Sequence, residues 1–174
     1  SSVRETWGYV GVLKAESTPP VLCPAGEFVL PTFQEAWEGG AIPAGWTQTL
    51  NVTGDFTSPT FNYSISSELP APHTGKALFA RNDGDGTCAV GGDASGSMQM
   101  DTPAITVPET ASFFSFTHFM QSEAGFDGGN LKISVNDGPW LLVAAADFIY
   151  NPYNTTLATA AQGNTNPMAG EAAF

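Results

Sequence analysis

Leu131-Lys132-Ile133-Ser134-Val135-Asn136-Asp137-Gly138-Pro139-Trp140-Leu141-Leu142-Val143 is the stretch that decides the fold class. Leu131, Ile133 and Val135 alternate with Lys132 and Ser134, the two-residue period of a strand. Asn136-Asp137-Gly138-Pro139 is turn chemistry, and it returns the chain into the apolar run that begins at Trp140. The stretch predicts a β-hairpin. Just upstream, Phe114, Phe116, His118 and Met120 share one side of residues 113–120 while Ser115 and Thr117 take the other, which predicts a half-buried strand with His118 on its apolar side. Ala77-Leu78-Phe79-Ala80 and residues 98–107 predict two further strands. Between them, Asp83-Gly84-Asp85-Gly86 and Gly91-Gly92-Asp93 bracket Cys88 in a long polar loop.

Farther out, residues 32–46 read as a first strand and a loop, because Gly39-Gly40-Ala41-Ile42-Pro43-Ala44-Gly45 is turn-forming and ends on the large Trp46. Residues 1–31 differ in character. They contain a short strand candidate at 7–13, then Ser17-Thr18-Pro19-Pro20 and Cys23-Pro24, and they read as an arm or as the end of a preceding domain, with residues 32–174 forming the main module. No segment keeps a 3.6-residue apolar period over three turns, and 19 Gly with 13 Pro leave little room for helix. Twelve Phe, four Trp and four Tyr in 174 residues exclude a disordered chain. Short strands, Gly- and Pro-rich turns and long loops together predict an all-β, antiparallel two-sheet sandwich.

Seventeen acidic residues against five basic ones give a formal charge of −12, which repels polyphosphates and argues against nucleic acid as a partner. The longest apolar run, residues 140–146, is strand-sized, far short of the roughly 20 residues of a membrane-spanning helix. The chain starts Ser1-Ser2-Val3-Arg4, without Met or a signal peptide, and so reads as a mature or excised piece. Two cysteines, Cys23 and Cys88, are compatible with one disulfide or with two separate thiols. Few lysines, high acidity and a disulfide would suit an extracellular, saline setting. Asn51-Val52-Thr53, Asn62-Tyr63-Ser64 and Asn154-Thr155-Thr156 match the N-glycosylation pattern, at a frequency that this Asn-, Ser- and Thr-rich composition produces by chance.

Catalytic constellations are absent from the sequence: no Gly-x-Ser-x-Gly elbow, no His-Glu-x-x-His pair and no phosphate-binding loop with its lysine. Gly92-Asp93-Ala94-Ser95-Gly96 sets its serine one place off the elbow pattern. His73 and His118 with a carboxylate have the chemistry of a zinc site but no spacing that requires one, and a histidine bonded to backbone is the simpler reading of His118. Glu35, Glu38, Asp101, Glu123 and Asp127 offer carboxylate pairs to a glycosidase; as hard oxygen ligands on loops and strand ends they suit calcium better. Asp83-Gly84-Asp85-Gly86 begins like a calcium loop, but Thr87 follows and no glutamate stands at the EF-hand distance.

One order of signals is familiar. Phe33-Gln34-Glu35-Ala36-Trp37-Glu38-Gly39-Gly40 precedes Ile42-Pro43-Ala44-Gly45-Trp46, then Lys76-Ala77-Leu78-Phe79-Ala80, then Met100-Asp101-Thr102-Pro103-Ala104-Ile105. Phe116-Thr117-His118-Phe119 follows, with Glu123, Phe126-Asp127-Gly128-Gly129-Asn130-Leu131-Lys132-Ile133-Ser134 and finally Asn166-Pro167-Met168-Ala169-Gly170. Over about 140 residues this resembles the MAM-like jelly-roll accessory modules of secreted bacterial proteins, including those beside the catalytic domains of extracellular peptidases. The resemblance implies a non-catalytic jelly-roll sandwich with a structural calcium ion, used for binding or stabilisation. Glu38, preceded by Trp37, stands where the family has its acid, and Asp101, Glu123 and Asp127 stand at other recurrent acidic positions. With Glu35 these are the calcium ligands it implies. The family continues past its Asn-Pro-x-Ala-Gly segment into further strands, whereas this sequence runs only to Glu171-Ala172-Ala173-Phe174. A jelly roll lacking its C-terminal strands is therefore expected to be a piece of a longer protein or to be completed by a neighbouring chain.

The expected function is a secreted or cell-surface module for adhesion or structure, with a polysaccharide, a protein surface or copies of itself as partner. Trp46 and Tyr153, and also Trp37, have rings suited to stacking on sugars, though Trp37 and Trp46 suit core packing at least as well. The alternative is a glycoside-cleaving sandwich that uses two of the acids. A subunit of an extracellular filament is a third reading, with the same chemistry as the first.

Overall fold

The computed structural model describes residues 21, 23–52, 62–80, 95–109 and 112–174. The expected strand at 7–13, the loop around Cys88 and part of the Asn51-Val52-Thr53 signal lie outside them. The described residues contain eight strands, two single-turn 3-10 segments and no α-helix. All pairing is antiparallel, in four two-stranded ladders, and no barrel closes. The chain is thus all-β. Its described residues divide between two compact units, Pro31–Phe119 in one and residues 21–30 with Met120–Phe174 in the other. The stretch 32–174 expected as one module is shared between both.

In the first unit, β1 (Thr47–Val52) pairs with β4 (Gly96–Asp101), setting Thr47 opposite Asp101 and Leu50 opposite Met98. β2 (Tyr63–Ser66) pairs with β3 (Ala77–Ala80), where Ile65 faces Leu78 and Ser64 faces Phe79. β-branched Thr47, Thr49 and Ile65 favour this pleated backbone. Side chains tie the two ladders together. Gln48 accepts from the Tyr63 amide at 3.1 Å and donates to Asn62 Oδ1 at 2.5 Å, and the Tyr63 hydroxyl donates to the Met98 carbonyl at 3.3 Å. Burial, helped by the charge of Asp101, raises the Tyr63 hydroxyl pKa, so that the hydroxyl stays a donor.

Two expected strands change here. The one expected over 98–107 pairs only as far as Asp101, because Pro103 has no N–H to give a ladder. Residues 113–120 belong to no ladder, and every described residue of this stretch is exposed. The period of two survives as a row of rings: Phe114 and Phe116 lie 5.6 Å apart, Phe116 and His118 5.4 Å. An alternating pattern fixes which side chains share a face; it does not supply the partner strand. His118 accordingly is not a core histidine, although partial burial lowers its imidazole pKa.

In the second unit, β5 (Lys132–Ile133) and β6 (Leu141–Leu142) form the expected hairpin. Asn136 and Asp137 have φ of 54° and 57°, and Gly138 N–H donates to the Val135 carbonyl at 3.0 Å, the geometry of a type I′ turn. That turn alone would set Ile133 opposite Trp140. Ile133 instead faces Leu141, so one extra residue bulges into the returning arm, where Pro139 has no amide to pair. The apolar side of the hairpin is open, with Ile133, Val135 and Leu141 each half or more exposed, while Lys132 and Ser134 are half-buried. Lys132 is drawn in by Glu171, 2.8 Å away.

β7 (Thr155–Thr156) pairs with β8 (Ala172–Ala173) to complete the unit. Its core is small: Leu157 and Ala173 are fully buried, with Asn164 beside them. Asn164 satisfies itself completely, donating to the carbonyls of Phe126 and Ala158 and accepting from the Asn166 amide. Gly128 and Gly129 admit the chain's last residues. A Cβ on Gly128 would stand 2.9 Å from Ala173 Cβ and 3.0 Å from the Phe174 carbonyl, and the Phe174 amide donates to Gly129.

Candidate binding site

Residues 33–46 form a loop pinned at two points. Toward its C-terminal end, Gly45 adopts φ of 90° against Pro103, whose Cγ would be 3.2 Å from any Cβ there. At Glu38, two bonds of 3.0 Å lock the loop to the residue before β3: the Lys76 amide donates to Glu38 Oε1, and Lys76 Nζ donates to the Glu38 carbonyl.

Trp37 comes just before the pin at Glu38 and has φ of 63°. A bulky side chain in the left-handed region costs on the order of 1–3 kcal/mol and persists only where its surroundings enforce it. Two bonds enforce it here. The Trp37 amide donates to Glu35 Oε1 at 2.6 Å, and its carbonyl accepts from Gly40 at 3.1 Å. The strained backbone delivers the Trp37 ring onto Trp46, with centroids 4.7 Å apart and planes at 60°, while Phe33 meets Trp46 from another side at 6.0 Å and 41°. All three residues are half-buried and keep part of their surface in solvent.

Tyr153 behaves differently. Its hydroxyl donates to the Leu131 carbonyl and accepts from the Leu131 amide, and its ring packs on Phe148 and Phe174, each 4.8 Å away. Both its polar and its apolar ends serve the second unit. A shallow open groove of about 420 Å³ runs past it, lined by Ala145, Asn154, Thr155, Thr156 and Ala172.

The five acids divide between the two units. Glu35, Glu38 and Asp101 belong to the first unit, and Glu123 and Asp127 to the second. Glu35 and Glu38 accept main-chain amides, and Asp101 accepts from Gln99 at 2.7 Å. Asp127 is half-buried; burial raises its carboxyl pKa, while bonds from the Asn166 side chain and the Glu123 backbone pull it down. Among the described residues no group of three or more His, Cys, Asp and Glu side chains is placed to hold a metal ion. Cys23 is half-buried with a free thiol, and Cys88, with the expected bridge, lies outside the described residues. The described residues hold no helix long and apolar enough to cross a membrane.

Sequence reading named Trp37, Trp46 and Glu35 but missed how they work together. The available signal was Glu35 two residues before Trp37 and Gly39-Gly40 just after it, a carboxylate and a flexible pair that bracket a reversal. No family model, curated protein or solved structure matches this chain.

Proposed function

We propose that the chain is a non-catalytic binding module of a secreted or cell-surface protein, its ladders belonging to a jelly-roll sandwich of the MAM-like kind, and that it holds a polysaccharide at the Phe33, Trp37 and Trp46 cluster. The strained Trp37 carries this reading: backbone strain is retained where a side chain's position matters, and here it places an aromatic ring at a partly open surface. Adhesion to a protein surface, or assembly with copies of itself into a filament whose neighbour completes the sandwich, would use the same module. Calcium stabilisation enters through the resemblance and not through the placement of the acids. Binding to a glycan panel with Trp46→Ala as the control tests the reading: loss of binding with an unchanged thermal midpoint supports it, and equal binding by the variant removes the cluster from recognition. Melting in calcium and in chelator tests the ion separately, because a ligand at 100 times its dissociation constant stabilises by about 2.7 kcal/mol.

A glycoside-cleaving alternative would take its general acid from Asp127, whose carboxyl burial raises. Reducing ends released from a glycan by the wild-type chain, and lost in Asp127→Ala, would establish it.

A further inference from the structure

We infer that the ligand of the Phe33, Trp37 and Trp46 cluster is a single, soluble, uncharged glycan chain and not the flat face of an insoluble polysaccharide. The inference rests on the glycan-binding reading above and adds the shape and charge of the ligand.

Shape comes from the rings. An insoluble polysaccharide presents parallel chains with their sugar faces in one plane, and a protein meets that plane with coplanar aromatic rings. The planes of Trp37 and Trp46 are tilted by 60°, and those of Phe33 and Trp46 by 41°, so a flat surface that lies against Trp46 lies against neither of the other two. A separate chain twists from residue to residue and offers successive sugar faces at different angles, which suits rings turned away from one another. The two bonds that force Trp37 into the left-handed region fix this tilt before any ligand arrives.

Charge comes from the surroundings. The chain carries −12 overall, and Glu35 and Glu38 flank Trp37. The one basic side chain shown against this loop, Lys76, is committed to the Glu38 carbonyl. A uronate or sulfated chain would meet repulsion here, and among the described residues of this unit no cation besides Lys76 stands to offset it.

The test is native affinity electrophoresis of the whole chain in gels carrying mixed-linkage β-glucan, xylan, galactomannan or amylose, with alginate as the polyanion, and co-sedimentation with microcrystalline cellulose and chitin. Retardation by at least one of the four uncharged soluble glycans is expected, with neither alginate nor the solids binding. Trp37→Gly is expected to weaken that retardation about tenfold or more. Its thermal midpoint should not fall, since glycine is at ease at this φ. Binding confined to cellulose, chitin or alginate overturns the inference and leaves the glycan reading standing. No binding to any of the seven overturns both. Wild-type retardation by Trp37→Gly overturns the site, and if that variant does not fold, Trp46→Tyr and Phe33→Leu answer the same question.

Discussion

The Tyr153 hydroxyl donates to the carbonyl of Leu131 and accepts from the amide of the same residue, at 3.1 Å each, so one side chain reinforces a position whose carbonyl also accepts from the Val143 amide at 3.0 Å. Tyr153→Phe keeps the ring contacts with Phe148 and Phe174 and takes the hydroxyl from the Leu131 amide, while the Leu131 carbonyl keeps the Val143 amide. The expected loss is about 1–3 kcal/mol, read from urea unfolding. A change within error would show that water replaces the hydroxyl freely.

Alkaline titration follows from the same pair. Burial raises the Tyr153 hydroxyl pKa above its usual 10, with the charge of Glu171 adding to it, so the folded state holds the proton more tightly than the unfolded one. The stabilisation is complete below pH 10 and is lost as pH rises through the folded value. Wild-type and Tyr153→Phe midpoints are expected to converge above pH 10.

Asp127 works in the acid range. Its carboxyl is raised from 3.8 chiefly by burial, so its protonated form is the one the fold prefers. Its contribution is fully present below the unfolded value and fades as pH rises through the folded one. With chelator present, Asp127→Asn is expected to melt above wild type at pH 7 and to lose that advantage by about pH 3.5. A difference independent of pH would place the effect elsewhere.

Gly128→Ala is expected to cost about 1–3 kcal/mol, because the added methyl meets the Ala173 side chain and the Phe174 carbonyl. Gly125→Ser probes the other glycine constraint. It has open space around its Cβ but φ of 80°, so its cost is about 1 kcal/mol of backbone strain. Calorimetry on the two variants separates crowding from conformation.

Local chemistry made the hairpin legible down to the left-handed Asn136 and Asp137, and it made β3 legible from Ala77-Leu78-Phe79-Ala80. The extra residue in the hairpin's returning arm was not, since it depends on what faces Ile133 and not on the turn. Residues 113–120 show the same limit: Phe114, Phe116 and His118 do line one side, yet no ladder joins them. In the site, aromatic composition pointed to Trp37 and Trp46, but a tryptophan at positive φ contradicts its own backbone preference, so pattern reading gives it no weight. Tyr153 read as a stacking surface because its partner, Leu131, is 22 residues away. The acids read as a set because sequence shows their charge and hides the N–H donors that Glu35, Glu38, Asp101 and Asp127 hold.

The paired glycines at 128 and 129 also set an order in time. Their neighbours Ala173 and Phe174 lie more than 40 positions later in the chain, and Leu157 is enclosed only once those residues arrive. The second unit therefore has no complete core until Ala173 and Phe174 have joined it, a closure between positions far apart in the chain.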